Sequence, residues 1–204
     1  MRGFESRRGL MSIDAIRIGC AILSGLLLVA GTIPYIRDVL SRTTHPNIVS
    51  WVGWSLLTTI TIVAQFAKGT NLSLVVPIAS TIGTATIAVL GIRYGYAKFN
   101  TLDKVCFVLG VVAIISWIAT KEPLSAIIIS IIADILFLLP TSIKSYRLPH
   151  SETMMTYVLL SAGALFGLLS SNNLELQNIL YPVYLFLAYA STVCILIVRR
   201  NPAT

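Results

Sequence analysis

Long apolar segments alternate with short polar connections along most of the chain. Segments of this length with few charged residues are typical of helices that cross a membrane. Seven of them follow one another, at residues 18–36, 48–67, 72–92, 105–120, 123–143, 153–171 and 179–198. Because lipid offers no hydrogen bonds to an open sheet, each segment is expected to satisfy its backbone groups as a helix. The pattern therefore predicts an all-α membrane protein with seven transmembrane helices.

The composition makes the lipid bilayer the main expected partner of the chain. Hydrophobic residues account for 56% of the 204 residues and charged residues for 11%, whereas soluble domains carry about 25% charged residues. The net charge is +7, but the basic residues lie at the ends of apolar segments, where they direct membrane topology. Binding to nucleic acid is therefore not expected.

The distribution of Lys and Arg predicts an orientation. Nine of these residues fall in alternate connections and the C-terminal tail, namely Arg37, Arg42, Arg93, Lys98, Lys104, Lys144, Arg147, Arg199 and Arg200. The opposite connections carry only Lys68 and Lys121. The positive-inside rule places the C-terminus in the cytoplasm and the N-terminus outside, in a multi-pass protein of the cell membrane. The basic residues of segment 1–17 oppose this orientation, and Met11 is an alternative start that would remove most of them.

The stretches 33–54 and 139–160 repeat the same order of features. In each, an apolar helix reaches a proline, a basic loop follows and a second apolar helix begins; the two prolines, Pro34 and Pro140, are 106 residues apart. Three helices, one linker helix and three more helices make the two repeats parallel, a recurring design in transporters. The predicted division is an N-terminal segment at 1–17, a first three-helix repeat at 18–95, a linker helix at 104–121 and a second three-helix repeat at 123–200.

Four prolines are candidate hinges. Pro34 and Pro140 remove a backbone donor near the end of the first and fifth apolar segments, and the sequence predicts that the helix ends there. Their equivalent positions favour a hinge over a simple helix terminator. Pro77 and Pro182 lie near the start of the third and seventh segments, where a proline is either a kink or an ordinary first-turn residue.

The first copy of the repeat resembles the PQ-loop families. The resemblance is carried by Pro34-Tyr35, Arg42-Thr43-Thr44, Ser50-Trp51 and Trp54, with Tyr35 and Thr141 standing where the family pattern has glutamine. This motif is similar to that of the SWEET sugar transporters and of the lysosomal transporters of cystine and cationic amino acids. The resemblance implies a transporter that moves a small polar solute, a sugar or an amino acid, by alternating access. A receptor or scaffold of the same fold that transports nothing is the alternative.

Asp134 is a carboxylic acid in the middle of the fifth apolar segment. A charged side chain at this depth costs about 2.5–3.5 kcal/mol on insertion scales, so it is expected to face a cavity or a partner. Ser130 lies one helical turn earlier on the same face. Asp134 is therefore predicted either to bind solute or couple its movement to protons, or to be a neutral carboxyl group hydrogen-bonded between helices.

Trp51, Trp54, Gln65 and Asn178 are further candidate binding residues. The two tryptophans lie one helical turn apart and suit either the aromatic belt at a membrane surface or a stacking surface for solute. Gln65 and Asn178 are polar residues near the opposite end of the predicted bundle. The sequence shows no nucleophile–base pair, phosphate loop or metal-ligand spacing, so neither an enzyme nor a bound metal or cofactor is expected.

Overall fold

The computed structural model describes the backbone of residues 2–66, 75–96, 101–119, 123–171 and 174–201, and most of their side chains; those of residues 2–12, 64–66, 75–77, 117, 118, 123 and 177 are outside the description. Eight α-helices occupy most of the described chain, joined at one point by a short 3-10 helix, Pro149–Ser151. The α-helices are α1 Arg2–Ala30, α2 Thr32–Leu40, α3 Ile48–Phe66, α4 Val75–Tyr94, α5 Thr101–Ala119, α6 Pro123–Arg147, α7 Met154–Leu169 and α8 Leu176–Arg200. The predicted all-α structure is confirmed.

Three helices are long and apolar enough to cross a bilayer. They are Ile13–Leu40, which combines α1 and α2, Leu124–Arg147 and Asn178–Arg200. Three shorter apolar helices, Ile48–Val63, Ile78–Tyr94 and Met154–Leu169, lie within α3, α4 and α7. These helices indicate a membrane protein.

The packing places apolar side chains outside and many polar side chains inside. Ile92 and Val198 are 76% and 66% exposed, whereas Ser50, Thr156 and Thr192 are fully buried. In water this arrangement would expose the residues that gain most from burial. In a bilayer, where lipid tails are as apolar as leucine, small polar residues are free to join helices and apolar residues to face outwards.

Six helical units form a closed ring. The unit made by α1 and α2 packs on α4 and α7, α4 packs on α3, α3 on α6, α6 on α8, and α8 on α7. Helix α5 contacts α3 and α6 from outside this ring. The connections that join α2 to α3 (residues 41–47) and α6 to α7 (residues 148–153) are the proline loops, and they lie side by side at one end of the ring.

Phe137 joins the ring to α5. Its ring is fully buried, and Gly53 of α3 and Gly110 of α5 lie against it so closely that an added Cβ would come within 2.2 and 2.5 Å of the Phe137 side chain. Small residues of this kind allow neighbouring helices in a membrane to approach each other. The two glycines therefore fix how α3, α5 and α6 fit together.

The expectation that helices end at Pro34 and Pro140 is wrong. The first helical unit is interrupted at Gly31, one turn before Pro34, and then continues as α2 to Leu40. The interruption has a simple cause, because Pro34 has no N–H group to donate to the carbonyl of Ala30 four residues earlier. Pro140 lies inside α6, which continues to Arg147. Both prolines therefore precede a further helical segment, which shortens the loops.

The structure adds detail at three other predicted positions. Segment 1–17 is helical from Arg2 onwards, because α1 begins there and runs without a break to Ala30. Pro182 lies inside α8, well after its first turn, because that helix begins at Leu176. Pro77 is the third residue of α4, and its side chain lies outside the description.

Candidate functional site

A central cavity of about 280 Å³ lies inside the ring of helices. Side chains from every helix of the ring line it, and none from α5 does so among the described residues. The lining residues are Leu28, Thr32, Trp51, Trp54, Leu57, Thr58, Thr61, Ser80, Thr84, Asp134, Leu160, Tyr181, Leu185 and Tyr189. Because the cavity is shared by all six helical units, any movement of the units relative to one another changes its shape.

Asp134 is the carboxylate of this lining. Helix α6 places it on the inner side of the ring, where only 5% of its surface is exposed. The hydroxyl of Tyr184 on α8 donates a hydrogen bond of 2.6 Å to Oδ2, and the indole N–H of Trp54 on α3 faces the same carboxyl group. Both partners are neutral, so they orient the carboxyl group without balancing a negative charge.

The threonines of the central cavity use their hydrogens within their own helices. Thr32 donates to the carbonyl of Val29 at 2.8 Å, and Thr61 donates to that of Leu57 at 2.9 Å. Thr58 and Thr84 bond in the same way to carbonyls one turn earlier on α3 and α4. A hydroxyl that has given its hydrogen to the backbone keeps its lone pairs. These side chains therefore present hydrogen-bond acceptors to the cavity.

A second cavity of about 380 Å³ adjoins the first. It shares Leu57, Thr61 and Tyr181 with the central cavity, and its remaining lining comes from Ile60, Ile114, Ala126, Ile127, Ile129, Ser130, Ala133, Asn178 and Pro182. Most of these side chains are apolar, and the hydroxyl of Ser130 donates to the carbonyl of Ala126 at 2.8 Å. The two cavities differ in charge, because a carboxylate lines the central cavity and no charged side chain lines the second one among the described residues.

A buried ion pair lies at the proline-loop end of the ring. The Nζ atom of Lys144, at the end of α6, is 2.5 Å from Oε1 of Glu152, and the two side chains are 2% and 0% exposed. Tyr157 donates to Oε2 of Glu152 at 3.1 Å. Lys144 also bonds to the carbonyl of His45, and Arg200 bonds to that of Glu152. The pair thus joins the two proline loops to α6, α7 and α8.

Hydrogen bonds between the two proline loops complete this end. The hydroxyl oxygens of Thr44 and Thr153 are 2.7 Å apart, and Thr153 donates to Oδ2 of Asp38 at 3.0 Å. The N–H of His45 donates to the carbonyl of Ser151 at 3.1 Å. We refer to Asp38, Thr44, His45, Lys144, Ser151, Glu152, Thr153 and Arg200 as the proline-loop cluster.

Aromatic side chains separate the cluster from the cavity. The rings of Tyr35 and Trp51 lie 4.5 Å apart between centroids, and Trp51 meets Trp54 edge to face at 5.0 Å. Trp51 is only 2% exposed, which is not a lipid-facing position. Next to this stack, Thr141 donates to the hydroxyl of Ser50 at 2.7 Å. The two tryptophans therefore belong to the wall of the central cavity.

Two pairs of positions separated by the repeat offset line the central cavity together. Leu28 and Asp134 are equivalent positions of the repeat, and so are Trp54 and Leu160. All four side chains line the cavity. Each pair combines a large apolar side chain with a chemically different one. The polar chemistry of the cavity is therefore unevenly divided between the two halves of the chain.

The structure brings some of the predicted site residues together and separates others. Asp134, Trp51 and Trp54 line the central cavity, while Ser130, Asn178 and Pro182 line the second one. Gln65 lies on α3, but its side chain is outside the described part of the chain.

Sequence reasoning missed the aromatic side chains of α8 and the buried ion pair. Tyr181 and Tyr184 are one helical turn apart in an apolar segment, a signal comparable to that of the tryptophan pair. The sequence marks Lys144 only as a topology signal and gives no indication of a role for Glu152. Nothing in their spacing of eight residues shows that the two become buried together.

The chain was compared with known proteins. It matches no family model, no curated protein and no solved structure. The fold and the site therefore carry the functional argument on their own geometry. Among the described residues, no group of three or more His, Cys, Asp or Glu side chains is arranged to hold a metal ion.

Proposed function

We propose that the protein is a membrane transporter that moves a small polar solute by alternating access. The observation that carries this proposal is a cavity with one carboxylate at the centre of a ring of helices, with one end of the ring filled by contacts between two loops. A transporter needs a central site and a barrier on one side that is removable without unfolding the helices. The proline-loop cluster has the composition of such a barrier, because its contacts are polar and join separate helices.

In this proposal the chain has seven transmembrane helices arranged as two parallel three-helix repeats, residues 18–95 and 123–200, with α5 as the linker. The helix contacts support the repeat. The first unit, α1 with α2, packs on α7, which is the second helix of the second repeat, and α6, the first helix of that repeat, packs on α3. These two contacts are equivalent under the repeat, and α4 and α8 occupy equivalent places between their neighbours.

Pro34 and Pro140 are the proposed hinges. Each is followed by a helical segment that carries members of the barrier: α2 contributes Asp38, and the end of α6 contributes Lys144. A missing backbone hydrogen bond at each proline lowers the resistance of the helix to bending. Bending at both positions would separate the two proline loops and connect the cavity to that side of the membrane.

The orientation follows from the distribution of basic residues, which places the proline loops and the C-terminus in the cytoplasm and the N-terminus outside the cell. Asp134 is the residue at which solute binds or protons are exchanged during transport. The solute reaches Asp134 from the face of the ring opposite the proline loops. In the families that the sequence resembles, the solute is a sugar or an amino acid.

One experiment tests transport without knowledge of the solute. Cys20, Cys106 and Cys194 are free thiols and are replaced by serine, and a single cysteine is then introduced at Thr84, on the wall of the central cavity. The protein is reconstituted in liposomes, and a membrane-impermeant thiol reagent is applied from either side. We expect modification from both sides, because alternating access exposes the cavity to each in turn.

A matched control places the single cysteine at Ile92, on the outer surface of the same helix. Modification of the Thr84 cysteine from one side only would contradict the transporter and favour the receptor or scaffold.

A further inference from the structure

The chemistry of the two adjoining cavities selects one class of solute more narrowly than the fold does. We infer that the site binds an organic ammonium ion with an apolar body, its charged group at Asp134 and its body in the second cavity. This inference rests on the proposed function, since it names the solute of the same cavity, but it is measured as binding and not as transport.

The charge of the cavity lining favours a cationic ligand. The residues that line the two cavities include one carboxylate, Asp134, and no Lys, Arg or His among the described residues. Tyr184 and Trp54 approach the carboxyl group as neutral donors. A buried carboxyl group that has no opposite charge beside it either takes up a proton or is balanced by a cation from outside the protein. An ammonium group on the ligand supplies that charge at the place where the protein does not.

The threonine hydroxyls of the cavity wall favour a ligand that donates hydrogen bonds. The hydroxyls of Thr32, Thr58, Thr61 and Thr84 donate to the backbone of their own helices, so they turn acceptor lone pairs towards the cavity. An ammonium group has only donors, which matches such a wall. A carboxylate on the ligand would find no cation in this lining among the described residues, which disfavours anions and places free amino acids at a disadvantage.

The aromatic side chains of the central cavity also favour a cation. Trp51, Trp54, Tyr181 and Tyr189 surround the same chamber as Asp134. The faces of such rings attract a cation that has left water, and their contribution is about 0.5–2 kcal/mol for each favourable contact. A carboxylate inside an aromatic enclosure is a site for a cation, because both kinds of group stabilise positive charge.

The lining of the second cavity indicates what the rest of the ligand is. Apolar side chains such as Ile60, Ile114 and Ile127 make up most of the lining of the second cavity, which shares Leu57, Thr61 and Tyr181 with the first. An apolar wall of this kind gains from contact with hydrocarbon or aromatic carbon and offers little to the hydroxyl groups of a sugar. The combined site therefore fits an arylalkylamine better than a sugar or a small hydrophilic amine.

The test compares four probes by titration calorimetry on the whole chain in phosphatidylcholine nanodiscs, with empty nanodiscs as the blank. Tryptamine carries the ammonium group and an apolar body, tryptophol replaces the ammonium by a hydroxyl, tryptophan adds a carboxylate, and glucose represents the sugars. We expect tryptamine to bind roughly tenfold to a hundredfold more tightly than each of the other three, as expected for a charge-assisted hydrogen bond. Equal binding of tryptamine and tryptophol would overturn the inference, as would failure of tryptamine to bind.

Two variants locate the effect. Asp134→Asn should reduce the preference for tryptamine over tryptophol to within about threefold, since it removes the charge-assisted bond. Asp14→Asn is the matched control, because Asp14 lies on the outer surface of α1, and its preference should equal that of the unaltered chain. An undiminished preference in Asp134→Asn would overturn the inference. If Asp134→Asn does not fold, the comparison of the four probes on the unaltered chain still decides it.

The result separates this inference from the proposed function. Tryptamine binding together with one-sided modification of the Thr84 cysteine would support the ligand class and contradict transport. Two-sided modification together with binding of glucose or tryptophan, and not of tryptamine, would support transport and overturn the ligand class.

Discussion

The proline-loop cluster and the central cavity both contain a buried carboxylate, but the two carboxylates have different partners. At the cluster, Glu152 is paired with Lys144 at 2.5 Å and receives a hydrogen bond from Tyr157 at 3.1 Å. In the cavity, Asp134 receives a hydrogen bond of 2.6 Å from Tyr184 and faces Trp54, and both partners are neutral. The protein therefore supplies a counter-charge at one carboxylate and only orientation at the other.

This difference distinguishes the structural ion pair from the proposed binding site. A buried pair of opposite charges is complete, so removing one member leaves the other unbalanced and destabilises the fold. A carboxyl group held by neutral donors on the wall of a cavity is oriented, and its remaining interactions are left for a ligand or a proton. The contrast predicts that breaking the ion pair destabilises the protein more than removing a polar group of the cavity.

Replacing Lys144 with methionine should destabilise the protein most. The variant leaves Glu152 buried without its cation and removes the hydrogen bond to the carbonyl of His45, for which we expect a loss of about 3–5 kcal/mol. The free energy of unfolding is measured by titration with SDS in mixed micelles. The control is Arg147→Met, one turn further along the same helix at an exposed position, which should change stability little.

The double variant Lys144→Met, Glu152→Leu sharpens this result. Removing both charges should recover most of the stability, because no unbalanced group remains buried. If the double variant is as unstable as Lys144→Met, the ion pair is not the reason for the loss, and the contrast with Asp134 fails.

Replacing Tyr184 with phenylalanine should have an intermediate effect. It removes the hydroxyl that donates to Asp134 and leaves the aromatic ring, for which we expect a loss of about 1–2 kcal/mol. The same titration measures it, with Tyr146→Phe as the matched control at an exposed position. A loss as large as that of Lys144→Met would show that the fold depends on the cavity as much as on the proline-loop cluster.

Replacing Asp134 with asparagine should alter stability by less than about 1 kcal/mol, because the amide oxygen still accepts the hydrogen bond from Tyr184 and no cation is left without a partner. The preference for an ammonium ligand should be lost while folding is retained. A strong destabilisation, measured as above, would mean that Asp134 is a structural carboxyl group and not part of a binding site.

Replacing Arg37 with glutamine should have the smallest effect. Arg37 lies 3.0 Å from Asp38, but three quarters of its side chain is exposed, and exposed ion pairs of this kind contribute about 0–1 kcal/mol. A change in the unfolding free energy beyond that range would show that surface charge and not burial controls the strength of the ion pairs at this end.

Much of the fold could be predicted because apolar segments of membrane length have few alternatives in lipid. The predicted segment 48–67 corresponds to α3 at Ile48–Phe66, and 153–171 to α7 at Met154–Leu169. The predictions at Pro34 and Pro140 failed because a proline removes one hydrogen bond but does not stop a helix that neighbouring helices support. Tertiary packing decided those positions, and the local sequence does not record it.

The candidate site was predicted only in part. Asp134 was conspicuous because a carboxylate in an apolar segment is costly wherever it lies. Its partner Tyr184 is separated from it by 50 positions, and an aromatic residue in an apolar segment carries no sign of which helix it faces. Lys144 and Glu152 lie near predicted helix ends, where charge is common, so only the fold shows that they are buried.

In the proposed function, the proline-loop cluster is a barrier that must open for transport. The most direct measurement uses the serine-substituted chain with its cysteine at Thr84 and adds cysteines at Thr44 and Thr153, whose hydroxyl oxygens are 2.7 Å apart. These two cysteines are first oxidised to a disulfide, and the Thr84 cysteine is then exposed to the impermeant reagent from each side. We predict that the disulfide prevents modification from the proline-loop side alone and that a reductant restores it. Equal modification from both sides with the disulfide intact would contradict the account.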